Sequence, residues 1–284
     1  MSLTPRRAAC VASATTLLIV IASLPVAAAD LGHENASPPE APADASFDQN
    51  RFGGVQQTLS NWHVVVGAGV MYRPKYEGSK EMDLLPVPMI SATFGDRLHL
   101  DPSGLTLDAI KADGLTLAIK GGYEIGRKED DSDHLRGLGD IGVGGVIGAH
   151  ASYEFGPARL YANIDKTIGG SDGLVGKFGA DVTQQYDKFI FSLGASATVA
   201  DDKHMQSYFG VTSEQSARSG LKEYEAKAGL KRFDADASVT YMVTDNWLVR
   251  SQAGVGFLTG DARNSPIVEK SIQPSAMLTI GYKF

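Results

Sequence analysis

From Trp62 to its last residue the chain is written largely in segments of about ten residues whose side chains alternate between apolar and polar. That is the length and period of strands that cross a membrane as a barrel. In 62–72 one face carries Trp62, Val64, Val66, Ala68, Val70 and Tyr72, and in 115–125 it carries Leu115, Leu117, Ile119, Gly121, Tyr123 and Ile125. Residues 174–186 set Leu174, Gly176, Phe178, Ala180 and Val182 against Val175, Lys177, Gly179, Asp181 and Thr183. Phe189 to Val199, Phe233 to Val243 and Trp247 to Phe257 repeat the pattern, and the closing stretch SAMLTIGYKF keeps Ala276, Leu278, Ile280, Tyr282 and Phe284 on one side. Aromatic residues often end these apolar faces, where a lipid interface would place them.

The pattern predicts an all-β fold, a transmembrane antiparallel up-and-down β-barrel over 61–284, with about 12 strands and roughly 10 to 14 compatible with the sequence. Two regions set that range. Residues 97–110 read either as one kinked strand or as two short ones about Pro102-Ser103-Gly104, and 223–243 as one strand or two, because the apolar parity slips near Lys231-Arg232. A soluble β-sandwich also alternates, but its strands are usually shorter. The face opposite the apolar one carries Lys120, Glu124, His150, Glu154, Arg159, Asp165, Lys177, Asp181, Asp234, Asp236, Arg250 and Lys283. Inside a narrow barrel these are expected to pair as a polar network in the lumen. At the C-terminus Ile280, Tyr282 and Phe284 are expected to face lipid while the last strand pairs with the first, leaving no edge to fray. This aromatic ending resembles the signal read by the outer-membrane barrel-assembly machinery, so that machinery and outer-membrane lipid are expected partners.

The residues ahead of the barrel fix the compartment. Arg6 and Arg7 precede an apolar run from Val11 to Ala22, then Pro25 and the small residues Ala27-Ala28-Ala29; residues 1–29 read as a signal peptide cleaved after Ala29. Residues 30–60 are polar, proline-bearing and without period, the composition of a disordered leader. The only cysteine, Cys10, lies in the targeting segment, so disulfides and thiol chemistry are not expected of the mature chain. Removing residues 1–29 takes away two arginines and no acids, moving the formal charge from −7 to −9. That balance excludes nucleic acid as an expected partner.

Chemical motifs are sparse. GLGDIG at 137–142 matches G-x-G-x-x-G, but an acidic loop precedes it and an alternating strand from Ile141 to Ala149 follows, where a nucleotide site needs a strand and then a helix. KEDDSDH at 128–134 is rich in carboxylates without the glycine and terminal glutamate of an EF-hand loop. His134 and Asp133, with Asp140, would be the candidates for a rim-located hydrolase, yet no nucleophile elbow or zinc helix motif accompanies them. No catalytic residue, cofactor or metal is expected. Residues 212–224 break the strand pattern; Ser213 can cap one helical turn ending at Gly220, read as a connection, with a partner-docking element as the alternative. SPIV at 265–268 reads as a loop anchored by Pro266 and two apolar residues.

At GAGVMYRPKYEGS (67–79), PVP (86–88), GLGDI (137–141), QSYFGVT (206–212), SGLKEY followed by AGL (219–230), TDNW (244–247), LTGDARNSPIV (258–268) and the final GYKF, the sequence resembles the family of MltA-interacting protein and OmpV. The resemblance implies an outer-membrane β-barrel of a Gram-negative bacterium. For the family's namesake it implies a scaffold that brings a periplasmic lytic transglycosylase together with a murein synthase. It supplies no catalytic residues. A small-solute channel is the alternative reading, with an adhesin or a rim hydrolase behind it.

Overall fold

Lipid offers a backbone amide no hydrogen-bond partner, so strands that cross it must be paired on both sides. The computed structural model describes residues 64–284 apart from Asp96, and in it twelve antiparallel strands form a closed barrel in chain order. They are β1 (Val64–Pro74), β2 (Met82–Phe94), β3 (Leu98–Asp101), β4 (Gly104–Ala112), β5 (Leu115–Glu124) and β6 (Gly144–Phe155). The second half comprises β7 (Ala158–Gly169), β8 (Leu174–Tyr186), β9 (Phe189–Ala200), β10 (Gly229–Met242), β11 (Trp247–Leu258) and β12 (Ile272–Lys283). The signal peptide, the leader and Trp62 lie outside the described residues.

The last strand closes on the first, with Val65 opposite Lys283 and Tyr72 opposite Ala276. The amide of Phe284 donates to the Val64 carbonyl at 3.0 Å, extending the ladder by one bond. Alternation then sorts the side chains. Val70, Ile119, Ile147, Leu193 and Ile280 stand exposed on the outer wall, while their strand neighbours turn to the lumen. No helix among the described residues is long and apolar enough to cross a membrane.

Connections of two lengths separate the ends of the barrel. The end that holds Val64 and Phe284 has the short turns 95–97, 113–114, 156–157, 187–188 and 243–246; the other has the segments 75–81, 125–143, 170–173, 201–228 and 259–271. Outer-membrane barrels put short turns in the periplasm and longer loops outside. At Asp113-Gly114 both residues take positive φ, 48° and 83°, which matches the right-handed twist of the hairpin they join. Aromatic pairs gather at the short-turn end: Phe189 stacks on Tyr241 at 4.9 Å, and Tyr282 meets Trp247 and Phe284 edge-on at 5.1 and 4.9 Å.

The ambiguous regions resolve differently. Residues 97–110 are two strands, β3 and β4, which turn about Pro102-Ser103. The parity slip near Lys231-Arg232 is a β-bulge within the single strand β10: the pairing with β9 shifts register between Leu230 and Arg232. The strand expected from Ile141 begins at Gly144, Ile141 forming only an isolated bridge with Arg127. Residues 212–224 hold a two-turn helix, longer than the single turn expected.

The closing seam depends on small residues. A Cβ on Gly67 would lie inside van der Waals contact with the Ile280 carbonyl and the Gly281 Cα, both backbone atoms of β12, whereas one on outward-facing Gly121 meets open space. Gly67→Val is expected to destabilise the barrel by about 2 kcal/mol, the scale of an overpacked site. The check is the urea midpoint of the refolded protein in detergent micelles, with Gly121→Val leaving that midpoint unchanged.

Candidate functional site

The lumen and its outer lid contain most of the buried polar chemistry. The bulge in β10 spends one extra residue, so that Lys231 and Arg232, neighbours in sequence, are both buried. Both reach Glu77 in the β1–β2 connection: Lys231 Nζ lies 3.2 Å from its Oε2 and Arg232 Nη1 2.7 Å from its Oε1. Arg232 also donates through Nε and Nη2 to Asp234 Oδ1 at 3.1 and 2.6 Å. Four charges can be buried at this depth because each is paired; removing one partner would strand the others.

Above them the long loops build a lid with its own core. Helix α1 (Asp202–Phe209) is capped by Asp201, whose carboxylate accepts from the His204 amide at 2.9 Å. Helix α2 (Ser213–Ser219) starts with a Thr212–Gln215 capping box and stops at Gly220, which takes φ 74°. Helix α3 (Gly260–Asn264) follows β11. Met205, Tyr208, Phe209, Leu258 and Ala262 form one buried cluster; Tyr76, Leu135, Leu138, Val211 and Ile267 form another. Four separate loops therefore share one interior. Side chains tie them together: Arg127 Nη1 donates to the Tyr208 carbonyl at 2.9 Å, Ser265 Oγ to that of Phe209 at 2.6 Å, and Tyr76 Oη to that of Ile267 at 3.1 Å.

His204 joins the lid to the lumen. Its Nε2 lies 3.3 Å from Lys231 Nζ, so it accepts, and Nδ1 carries the proton towards Glu124 Oε1 at 3.8 Å. Burial, with Lys231 adding to it, holds the imidazole well below its ordinary pKa. Glu124 is engaged from the other side by Tyr208 Oη at 3.0 Å and Ser171 Oγ at 2.7 Å. Burial beside this carboxylate pushes the Tyr208 phenol up.

Beneath the lid lie two cavities. One of about 230 Å³ is lined by Met71, Arg73, Tyr123, Glu124, Lys177 and Met277 among others. A second of about 480 Å³ extends to the β4–β5 turn at Asp113-Gly114, past His99, Asp108, His150, Glu154, Arg159 and Asn163. Lys120, Asp165 and Ser103 line both.

The twelve charged residues singled out from sequence stand at inward positions of β5, β6, β7, β8, β10, β11 and β12, and they divide into separate groups. Arg159 donates to Asp181 Oδ2 through Nε and Nη2 at 3.0 and 2.8 Å, although Glu154 is its register partner. His150 contacts Asn163, not a charged residue. Glu124 belongs to the lid junction and Asp234 to the Arg232 pair. Arg250 reaches Thr240 Oγ1 and Gln252 Oε1 at 3.4 and 3.3 Å. Lys177 is buried, Asp236 faces Gly194 across the strand pair, and Lys283 stands at the short-turn end opposite Val65. Ile280 and Phe284 are exposed, with Tyr282 between them.

Glu77, Lys231, Arg232 and His204 were not singled out. The slip in apolar parity marks Lys231 and Arg232 in the sequence; Glu77 and His204 carry no local sign.

The other motifs have structural employment. Glu129 Oε2 accepts from the amides of Gly137 and Gly139, both at 2.9 Å, so the carboxylate fills the glycine-rich nest where a phosphate would have to sit. Asp133 points to solvent beside Arg136, His134 Nε2 meets the Pro266 carbonyl at 3.0 Å, and Asp140 accepts from the Glu129 amide at 2.9 Å; the three do not converge. No group of three His, Cys, Asp or Glu residues poised for a metal occurs among the described residues.

Because the lid holds His204 neutral, lowering the pH must loosen it. The depressed folded-state pKa means that stability is complete above the ordinary value near 6.5 and is lost as pH falls below it, by at most about tenfold in the opening equilibrium per pH unit for one proton. Hydrogen exchange of the 201–228 amides at pH 7.5 and pH 5 measures this, and His204→Gln is expected to remove that proton's part of the slope.

The family model described as MltA-interacting protein MipA matches residues 66–284. The MltA-interacting proteins of Escherichia coli (strain K12) and Shigella flexneri are each 26% identical to the chain over 239 residues, covering 81% of this chain and 93% of the relative. A solved structure described as NanC porin aligns with a TM-score of 0.46 at 9% identity, covering 77% of this chain and 100% of that one. The family match runs from the third residue of β1 to Phe284 and takes in every loop of the lid: the chain belongs to the MltA-interacting protein family and is an outer-membrane β-barrel of a Gram-negative bacterium.

Proposed function

We propose that the protein is a non-enzymatic scaffold whose periplasmic face holds peptidoglycan-remodelling enzymes, a lytic transglycosylase and a murein synthase. The observation that carries this reading is the lid. A barrel whose outer mouth is filled by a packed core of four loops is poorly suited to passing solutes and well suited to presenting a rigid inner rim. The relatives named MltA-interacting protein support the same reading. The docking surface would be the short turns, which carry Asp113, Asp187, Lys188 and Asp245, together with the polar leader. Buried charges facing one another inside the wall fit a structural role better than a catalytic one.

Crosslinking intact envelopes and purifying the barrel is expected to recover a lytic transglycosylase or a synthase; recovery of neither overturns the proposal. The channel alternative has its own measurement. In planar bilayers the intact protein is expected to give no reproducible conductance steps, whereas replacing residues 202–227 by a short glycine-serine linker, which removes α1 and α2, is expected to produce them. Steps from the intact protein would favour a pore.

Assembly by the outer-membrane machinery is part of the proposal, with Ile280, Tyr282 and Phe284 as its signal. Phe284→Asp is expected to lower the amount of heat-modifiable barrel in the outer membrane at least fivefold, and Lys283→Gln to leave it unchanged. Equal levels for the two variants would remove the signal from that position.

A further inference from the structure

Three inward side chains stand side by side where the bulge of β10 meets the lid. Thr198 of β9 lies opposite Lys177 of β8 on one flank and opposite Arg232 of β10 on the other. Directly opposed residues hold their Cβ atoms about 4.5–5.5 Å apart, so Thr198 sits between two cationic side chains. Lys177, Thr198 and Arg232 are 3%, 3% and 6% exposed, and all three line the smaller cavity. Thr198 Oγ1 has no hydrogen-bond partner among the described residues. A hydroxyl left unpartnered at this depth is costly, and the space it faces belongs to the cavity.

The charges around that space are unequal. Five cationic side chains line it: Arg73 from β1, Lys120 from β5, Lys177 from β8, and Lys231 with Arg232 from β10. Three lining carboxylates oppose them, and two of the three are already engaged. Glu77 accepts from Lys231 and Arg232, and Glu124 from the hydroxyls of Tyr208 and Ser171. Among the lining carboxylates only Asp165 remains for Arg73, Lys120 and Lys177. Lysine and arginine can only donate. Donors therefore outnumber acceptors in a volume largely closed to solvent. Water can supply acceptors there but no charge, whereas an anion supplies both.

Position and size narrow the guest. The cationic groups come from four strands around the cavity, so the guest must present acceptors in several directions, as a tetrahedral oxyanion does and a planar carboxylate does not. The cavity, about 230 Å³, far exceeds the roughly 30 Å³ share of one water. The lid covers it from outside. Through Lys120, Asp165 and Ser103 it adjoins the larger cavity, which reaches the short-turn end at Asp113-Gly114. We infer that Lys177, Thr198 and Arg232 form a binding site for a free tetrahedral oxyanion of the phosphate and sulfate class, entering from the periplasm, with Thr198 Oγ1 donating to it. The site stands apart from the scaffold role, and neither depends on the other.

The test is equilibrium dialysis of radiolabelled inorganic phosphate against the full mature chain refolded in maltoside micelles free of phosphate. One phosphate per barrel is expected, displaced by sulfate and not by acetate; absence of saturable binding overturns the site, and equal displacement by acetate overturns the tetrahedral chemistry. Thr198→Val is expected to raise Kd about tenfold, the scale of one lost hydrogen bond to a charged group, and Lys177→Met at least as much. Thr279 supplies the control, because its hydroxyl is likewise buried without a partner but lines neither cavity; Thr279→Val is expected to leave Kd unchanged. Heat-modifiable migration identifies the folded barrel in each variant. An unchanged Kd in folded Thr198→Val, or an equal rise in Thr279→Val, overturns the placement. Displacement of phosphate by phosphatidic acid added to the micelles assigns the site to a lipid headgroup and overturns entry of a free ion from the periplasm.

Discussion

A sheet that crosses lipid must close on itself, because the solvent around it cannot satisfy a free amide. Here the closing contact is β12 against β1, and much else follows from it. The two strands run antiparallel for eight register positions, which, with an even number of strands, sets Val64 and Phe284 at one end of the barrel. Closure also crowds the seam, so that Gly67 and Gly69 of β1 stand where a Cβ would strike the backbone of β12. The upper part of β2 departs from this: among the described residues Met82–Ser91 pair with β1 and with no strand on their other side, and Pro86 and Pro88 in that stretch bring no amide donor.

The second constraint is inside. A narrow barrel with inward-facing charges must pair them or leave them solvated, and the protein does both. Near the lid, where Lys231, Arg232 and Asp234 are buried, pairing with Glu77 is tight and comes from a loop, not from the wall. Lower down Arg159 and Asp181 pair within the wall, while Glu154 remains exposed at the short-turn end. The lid and the wall are therefore one system: Glu77, from a loop, pairs with Lys231 and Arg232 of β10, and Glu124, from the wall, accepts from the hydroxyls of Tyr208 and Ser171.

Legibility in the sequence followed the range of the interaction. Alternation is local, so the faces of β1, β5, β8 and β12 could be read residue by residue. The hairpin about Pro102-Ser103 was half visible, because a proline and a glycine break a strand but do not say whether the chain then turns back. Helix α1 was missed. Its eight residues carry little apolar periodicity of their own and are held by loops distant in sequence, with Phe209 covered by residues such as Ser265 that lie far along the chain. His204, scattered among other histidines, had no local mark at all.

What the sequence determined by itself was the architecture: strand length, which face meets lipid, and an even-numbered closed sheet, since each rests on a period of two that any neighbour would respect. What the tertiary structure decided was pairing. Lys231 and Arg232 read as a lapse in alternation until β9 showed that one extra residue turns both inward to Glu77. That Met82–Ser91 pair with a strand on one side only became definite with the register of β1 and of the short β3. Hydrophobic alternation is written in single residues, but a bulge, a lid or an unpaired edge exists only between segments, and so becomes definite only when the register between them is known.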